Sequence, residues 1–332
     1  MAEKNSFDIA IIGGGPVGMF ALFYSQLRNV NATLIESLPE LGGQVNALYS
    51  DKIILDVAGF ANISGSQLIE NLNQQLRQFN DLNIKTNSTV INIEKKDNQF
   101  EITTKTEKIF AKTIILATGK GDFKPRKLQI DNVDTLSKVS YIAKSSESYK
   151  DKIVAIAGGG DTALETALQI SQSATKTYLI HRNDHYSALE STIDKVNQSD
   201  VEQLINAKIT SLTENDDKLI IEIDEKRIEV DDLVVNFGLI SDNKLLKEWN
   251  LDFEFDNGFL KTNSNQATNI DGIFAIGDIS HYPGKAELIA TGFGEALTAL
   301  NSAVEFYRPG SAGPVHSTVQ KITDGILTEE QP

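Results

Sequence analysis

The most constraining feature of this 332-residue chain is a glycine-rich turn close to its N-terminus. An apolar run at residues 9–12 has the composition of a buried strand, and a G-x-G-x-x-G turn follows it directly. Residues 17–27 then have helical periodicity, and residues 32–35 form a second apolar run that ends at Glu36. This order of strand, glycine turn, helix and strand predicts one half of a doubly wound α/β fold.

Each glycine of this motif has its own mechanical role in binding a dinucleotide. Gly13 permits the tight turn, Gly15 lets the backbone approach a pyrophosphate, and Gly18 lets helix and strand pack closely. The start of the helix offers N–H groups and the positive end of its dipole to phosphates. Glu36 lies 18 residues after Gly18, where a carboxylate accepts hydrogen bonds from ribose hydroxyls. An ordinary glycine-rich βα turn is the alternative, but the acid and both flanking elements favour a dinucleotide site.

The same pattern returns in the middle of the chain, with Gly158, Gly160 and Ala163 in a G-x-G-x-x-A turn. The strand, helix and second strand around it are predicted at residues 152–157, 163–170 and 175–180. In this repeat no acid stands where Glu36 stands in the first, because the position holds His181, followed by Arg182.

This difference predicts different nucleotides for the two repeats. A carboxylate repels a 2′-phosphate, whereas a guanidinium pairs with one. The repeat with Glu36 is therefore expected to bind FAD, whose ribose hydroxyls are free, and the repeat with Arg182 is expected to bind NADPH. A solvated surface arginine is the alternative for Arg182. Two such sites in one chain indicate hydride transfer from nicotinamide to flavin.

Alternating apolar and polar residues after each repeat predict two small antiparallel meanders. Their strands are expected at residues 88–94, 99–104 and 108–111, and at residues 208–212, 218–223 and 226–230. Further apolar strands are expected at residues 113–117, 232–236 and 272–278, and a helical stretch at residues 286–306. The predicted fold class is α/β, with two Rossmann-like nucleotide-binding domains of three-layer ββα type, each carrying a small antiparallel meander.

Composition excludes several other classes. The chain has no cysteine, so disulfides and a dithiol relay are excluded, and its four histidines lack the spacing of a zinc site, so no metal is expected. A net charge of −15 argues against binding to nucleic acid. No apolar stretch is long enough to span a membrane, and the first residues do not resemble a signal peptide, so a cytoplasmic protein without membrane contact is expected.

Several motifs together resemble the low-molecular-weight thioredoxin reductase family. They are GGGPVGM, ELGGQ, ATG at residues 117–119, GGGDTALE, the pair His181-Arg182 and FAIGD. Without cysteines, and with a C-terminal tail containing HST, the chain resembles the thioredoxin-reductase-like ferredoxin–NADP reductases of bacteria over essentially its whole length. That resemblance implies an FAD-binding domain at residues 1–118 and 241–332, whose tail covers the flavin, and an NADP-binding domain at residues 119–240. It also implies a homodimer that passes single electrons to ferredoxin or flavodoxin.

The resemblance implies roles for individual residues as well. Tyr49 and His316 match residues that stack on or cover the two flavin faces, and neither is assigned acid–base chemistry. The remaining FAD contacts it implies are Gly13, Gly15, Gly18, Glu36, Gln44, Val90, Phe123, Asp278 and Thr318. The NADP contacts are Gly158, Gly160, Ala163, His181 and Arg182. Taken alone, Tyr49 would be interpreted as a core aromatic and His316 as a loop residue, and a helix or turn cap is the alternative for Asp278.

One departure from the family pattern concerns the second nucleotide loop. Asn183 and Ser187 stand where the family commonly has arginines, and each lost charge-assisted bond to a phosphate costs about 1.5–3 kcal/mol. Weak NADPH binding, competition by NADH or loss of nucleotide binding are therefore alternatives. Correspondingly, a diaphorase or NAD(P)H oxidase, and a flavoprotein electron carrier without pyridine nucleotide, are the alternative functions.

Overall fold

The computed structural model describes residues 5–311 apart from 216, 225 and 243, together with residues 313 and 320–329; it does not describe the side chains of residues 122–124, 239–245 and 329. The chain divides into two compact units. The first unit comprises Met1–Asp122 and Asp242–Pro332, and the second comprises Phe123–Ser241. The chain therefore crosses between units at 122/123 and 241/242, against the predicted 118/119 and 240/241.

The first unit begins with eight strands and three helices. They are β1 (Ser6–Ile12), α1 (Pro16–Leu27), β2 (Ala32–Ile35), α2 (Gly43–Tyr49), β3 (Ile53–Ile54), β4 (Ile63–Ser64), α3 (Gly65–Leu76), β5 (Asn83–Lys85), β6 (Val90–Lys96), β7 (Gln99–Thr104) and β8 (Lys108–Leu116). Their main sheet has the order β5-β2-β1-β8-β7-β6.

The second unit follows with its own strands and helices. They are β9 (Asp122–Pro125), β10 (Val139–Ser140), β11 (Ile153–Ala157), α4 (Asp161–Ser171), β12 (Lys176–Ile180), α5 (Glu190–Asn197), β13 (Glu202–Leu204), β14 (Ile209–Glu214), β15 (Leu219–Ile223), β16 (Lys226–Val230), β17 (Asp232–Val235) and β18 (Leu239–Asp242). The two strands at the crossings, β9 and β18, pair with each other.

The chain then returns to the first unit. The remaining elements are α6 (Lys244–Glu248), β19 (Phe255–Asp256), β20 (Phe259–Lys261), β21 (Ile273–Ala275), β22 (Ser280–His281), α7 (Ile289–Tyr307), β23 (Gln320–Thr323) and β24 (Ile326–Glu329). Short 3₁₀ turns lie at Val133–Thr135, Ser146–Tyr149 and Gly277–Ile279.

Strand β8 joins the parallel and antiparallel parts of the first unit. Its start pairs antiparallel with β7, and its end pairs parallel with β21 on the same side, while β1 pairs parallel along the other side. The prediction had two strands here, at residues 108–111 and 113–117, and the structure has one. Because β8 is nine residues long, it can exchange partners without a break.

The first unit has three layers. Ile9 and Ile11 of β1 lie in the core formed with helices α1, α3 and α7, whereas Ala10 and Ile12 lie in the core formed with β6, β7 and α6. This alternation is the period of two expected for a strand that is buried on both faces.

The second unit repeats this arrangement. Its parallel sheet has the order β10-β17-β11-β12-β13, and a separate antiparallel sheet has the order β14-β15-β16. Val154 and Ile156 share a core with α4, while Ala155 and Ala157 share one with the meander strands. The predicted class, with two three-layer ββα nucleotide-binding folds, is thus confirmed.

Candidate functional site

The first glycine turn is closely packed on one side and open on the other. A Cβ added at Gly13, where φ is +108°, would lie 2.3 Å from the carbonyl oxygen of Ala117. A Cβ at Gly18 would lie 1.9 Å from the carbonyl oxygen of Gly13. A Cβ at Gly15 would meet nothing within 4 Å. Gly13 and Gly18 are therefore required by packing, whereas Gly15 leaves open space at the start of α1.

Glu36 closes one edge of this turn. Its side chain is buried, and Oε2 accepts the backbone N–H of Gly14 at 2.6 Å. Oε1 accepts the N–H of Leu38 at 2.7 Å and the hydroxyl of Ser37 at 3.0 Å. A carboxylate has about four accepting positions, so one position on Oε2 is left for a further donor such as a ribose hydroxyl.

The loop after Glu36 packs onto the same turn. The N–H of Gly42 donates to the carbonyl oxygen of Gly14 at 2.8 Å, and a Cβ at Gly43 would lie 3.0 Å from the Cα of Gly15. Helix α2 begins at Gly43 and carries Gln44 and Tyr49. Both side chains are half-buried.

Asp278 lies at the end of β21, in the 3₁₀ turn, and is half-buried. Its carboxylate has no hydrogen-bond partner among the residues that the structure describes, and the cap that was the alternative interpretation is not formed. The hydroxyl of Thr118, which follows β8 beside Gly13, is buried and also lacks a partner there. We call the turn at Gly13, Gly15 and Gly18 the first cradle. Two polar groups next to it are thus left for a ligand.

The other predicted flavin contacts stay untested predictions. Val90 is buried in the core between the sheet and the meander. Phe123 lies in β9, but its side chain is outside the described part of the chain. His316 and Thr318 lie outside the described residues altogether.

The second glycine turn is built in the same way. A Cβ at Gly158 would lie 2.5 Å from the carbonyl oxygen of Asn236 and 2.6 Å from the Cβ of Ala163, whereas one at Gly160 would meet only Ser187 Oγ, at 4.0 Å. Helix α4 begins at Asp161, whose carboxylate accepts the N–H of Leu189 at 2.9 Å. The second turn therefore has a close-packed first glycine and an open second one, like the first.

The loop after β12 folds back against this turn. The N–H of Ser187 donates to the carbonyl oxygen of Gly159 at 2.8 Å, and a Cβ at Gly159 would lie 2.1 Å from the His181 ring. The rings of His181 and Tyr186 lie 5.3 Å apart, centroid to centroid. Burial raises the pKa of the Tyr186 hydroxyl to about 12. The structure thus brings His181 to the glycine turn, and its contact with a nucleotide stays a prediction.

The charges of this loop are exposed. Arg182 is exposed and makes no ion pair within the described part of the chain. Asp184 is exposed as well, and the hydrogen bond from His185 at 2.6 Å lowers the pKa of its carboxyl. The loop after β12 therefore carries one exposed guanidinium and one exposed carboxylate, and recognition of a 2′-phosphate by this loop stays a prediction.

Sequence reasoning missed a buried polar cluster behind Asp278. The side chains of Lys285 and Glu295 are 4% and 3% exposed, and their charged groups are 2.8 Å apart. The hydroxyl of Tyr282 donates to Glu295 Oε1 at 2.8 Å, and the pKa of Tyr282 is raised to about 12, first by burial and then by this carboxylate. A signal existed, because helical periodicity places Glu295 on the same face as the buried Gly292, Ala296 and Ala299.

The residues of the first cradle fit a dinucleotide cofactor. The open space at Gly15, the free accepting position of Glu36 and the unpartnered groups of Thr118 and Asp278 all belong to the first unit. No group of three or more potential metal ligands was found among the described residues. None of the helices the structure describes is long and apolar enough to cross a membrane.

These features define a two-cradle flavoprotein fold, and the chain belongs to the pyridine nucleotide-disulphide oxidoreductase family, whose model matches residues 7–303. Its relatives include the ferredoxin–NADP reductase of Leuconostoc mesenteroides subsp. mesenteroides, 44% identical and covering 97% of this chain and 98% of the relative. Ferredoxin–NADP reductase 2 of Bacillus subtilis is 41% identical and covers 95% of this chain and 97% of the relative.

Solved structures support the fold. Thioredoxin reductase of T. acidophilum has a TM-score of 0.74 at 22% identity, and the match covers 90% of this chain and 98% of that one. The bacillithiol disulfide reductase Bdr (YpdA) of Staphylococcus aureus has a TM-score of 0.73 at 18% identity, with coverage of 90% and 98%. The similarity to these proteins concerns the fold alone.

Proposed function

We propose that this protein is an FAD-dependent reductase that moves electrons between NADPH and ferredoxin or flavodoxin. The observation that carries the proposal is the pair of glycine cradles, in which the second strand of one repeat ends at an acidic residue and that of the other ends at basic residues. Glu36 closes the first cradle, and His181 and Arg182 stand at the second. Full-length relatives named ferredoxin–NADP reductase support the same activity.

The first unit would hold FAD. Gly13, Gly15 and Gly18 form the pyrophosphate cradle, Glu36 accepts from the ribose, and Asp278 faces the ribityl chain. The contributions of Gln44, Tyr49, Val90, Phe123, His316 and Thr318 are proposed from the family resemblance. When bound, the flavin supplies the chemistry, because it accepts a hydride at N5 and releases electrons singly. The protein positions it and needs no proton-transfer residue.

The second unit would hold NADPH as the co-substrate. The N–H groups at the start of α4 face the pyrophosphate over Gly158, Gly160 and Ala163. His181 and Arg182 lie at the end of β12, where the adenosine ribose and its phosphate are recognised. Arg182 pairs with the 2′-phosphate. Binding NADPH in this way requires no catalytic group.

Thioredoxin reductase chemistry is excluded for this chain because it contains no cysteine to carry a dithiol relay. Electrons must therefore leave the flavin directly for a separate carrier. A cytoplasmic homodimer is part of the proposal, and the exposed side chains of Ile53, Leu55 and Phe60 support a protein contact there. Light scattering of the purified protein tests the homodimer.

The deciding experiment mixes the FAD-loaded protein with NADPH or NADH without oxygen and follows the visible flavin absorbance. We expect rapid bleaching by NADPH, followed by reduction of added ferredoxin. Failure of the protein to bind FAD would overturn the proposal. Bleaching by neither nucleotide would instead indicate an electron carrier without pyridine nucleotide.

A second candidate is a diaphorase that uses NADH as well as NADPH. The single arginine of the loop at residues 181–187 and the ionised Asp184 favour it, because both reduce the attraction for a 2′-phosphate. Equal rates with the two nucleotides, together with electron transfer to quinones or oxygen and none to ferredoxin, would support this candidate.

A further inference from the structure

The buried pair Lys285 and Glu295 lies directly behind the turn that carries Asp278. Its polar contacts converge on Gly277, the residue before Asp278. Glu295 Oε2 accepts the N–H of Gly277 at 2.7 Å, and Lys285 Nζ donates to the carbonyl oxygen of Gly277 at 2.7 Å. The ion pair therefore holds both polar groups of one residue.

Gly277 needs such support because glycine has more backbone freedom than any other residue. Its φ is +67°, a left-handed conformation that glycine adopts without steric cost. The preceding strand does not impose this conformation. Ser280 adds a third contact, since its hydroxyl donates to the carbonyl oxygen of Gly277 at 3.0 Å. The conformation of the turn is thus specified by side chains from α7 and from the loop before it.

The same turn adjoins the first cradle. A Cβ at Gly277 would lie 3.5 Å from Val17, in the first turn of α1, and one at Gly292 of α7 would lie 2.4 Å from Val17. The start of α1, the turn at Gly277 and the first turns of α7 therefore meet at Val17. Any shift of the turn changes where Asp278 stands relative to the cradle.

A buried ion pair contributes little net stability to a fold. Burying two charges costs several kcal/mol each, and apolar residues of similar volume often give equal or better stability. Every donor of the Lys285 ammonium nevertheless has an acceptor, in Gly277, Ser280 and Glu295. The buried ammonium is thus fully paired at the turn that carries Asp278.

We propose that Lys285 and Glu295 are positioning residues that hold Asp278 against the ribityl chain of the flavin through the peptide groups of Gly277. This inference rests on the proposed function, because it takes FAD as the occupant of the first cradle. Neither side chain touches the flavin in this proposal.

The test is a double variant, Lys285→Met/Glu295→Leu, which removes both charges together and fills their space. Because apolar replacement of a buried pair is often neutral for folding, the FAD-free variant should unfold at about the same urea concentration as the wild type. Its FAD dissociation constant should nevertheless rise at least about tenfold, and the visible spectrum of the bound flavin should shift.

The control applies charge-removing substitutions to an exposed ion pair of the same unit. Lys261 and Glu254, 3.3 Å apart and 62% and 59% exposed, give the variant Lys261→Met/Glu254→Leu. This variant should bind FAD with the wild-type affinity and spectrum. Wild-type FAD affinity and spectrum in the Lys285→Met/Glu295→Leu variant would overturn the inference.

A second variant covers the case in which the double variant does not fold. Glu295→Gln retains an acceptor for Gly277 and removes only the charge, so it should bind FAD more weakly than the wild type and more tightly than Glu295→Ala. Equal FAD binding by all three proteins would refute the positioning role. If the wild type itself binds no FAD, the proposed function fails, and that result is separate from a failure of this inference.

Discussion

Substitution by alanine tests close packing at Gly13 and ligand access at Gly15, two different requirements of the same motif. Gly13→Ala would place its Cβ 2.3 Å from Ala117 with φ at +108°, so we expect a loss of about 1–3 kcal/mol in unfolding free energy. Gly15→Ala meets nothing within 4 Å, so the FAD-free protein should keep its stability while FAD binds at least about tenfold more weakly. Urea unfolding and FAD titration of both variants check this; loss of stability in Gly15→Ala would contradict it.

At the second glycine turn, we expect Arg182 and Asn183 to set the preference between NADPH and NADH. Arg182→Ala should raise KM for NADPH roughly tenfold or more and leave KM for NADH nearly unchanged, because only NADPH carries the 2′-phosphate. Asn183→Arg should lower KM for NADPH. Steady-state kinetics with both nucleotides measure this, and Arg227→Ala, an exposed arginine of the meander, is the control. Unchanged discrimination in Arg182→Ala would remove the proposed role.

Tyr282 predicts how stability depends on alkaline pH. Burial and the Glu295 carboxylate raise its pKa from 10.0 to about 12, so the folded protein keeps a proton that the unfolded chain loses. The resulting stabilisation is present below about pH 10 and is lost as the pH rises towards about 12. Urea unfolding across this window should show a shallower decline for Tyr282→Phe than for the wild type. Identical slopes would mean that Tyr282 ionises normally.

At the scale of elements, close packing of α7 against α1 depends on Gly292. The sequence predicted a helix over residues 286–306, and the structure has α7 at Ile289–Tyr307 with Gly292 against Val17. Gly292→Val should cost about 1–3 kcal/mol of stability, and Val17→Ala should restore part of it. Gly294→Ala is the control, because its Cβ would meet nothing within 4 Å. Thermal unfolding of these variants measures the coupling, and its absence would contradict the packing.

Strand patterns predicted the strands beside the two glycine turns and both meanders, but not how these strands join. Residues 32–35 were predicted as β2 with its observed bounds, and the meander strand β7 was predicted as observed. The break expected between residues 111 and 113 does not exist, because β8 continues past β7 to pair with β21. That pairing joins residues more than 150 positions apart in sequence, which a local pattern cannot contain.

At the scale of the whole molecule, two units with separate cores should respond to different ligands. The single tryptophan, Trp249, is buried in the first unit and therefore reports its unfolding. FAD at about 100 times its Kd should stabilise the unfolding transition of the first unit by about 2.7 kcal/mol. NADP⁺ should instead stabilise the unfolding transition of the second unit, which Trp249 does not report. Tryptophan fluorescence and calorimetry on the FAD-free protein separate the two. A single transition shifted equally by both ligands would contradict independent sites.

The sequence by itself determined the two nucleotide cradles and their difference. Glycine spacing, the flanking apolar runs and the charge after the second strand are local features, because each follows from residues within about 30 positions. The structure confirmed the fold class and placed Glu36 and His181 beside their glycine turns.

Only the tertiary structure decided the partners of the buried charges and the reasons for individual glycines. Lys285 and Glu295 meet because a loop and a helix fold onto Gly277, and Gly292 is small because α1 lies against it. Such contacts depend on the three-dimensional distance between elements. Hydrophobic periodicity records which face of an element is buried, but not which residue of another element it meets.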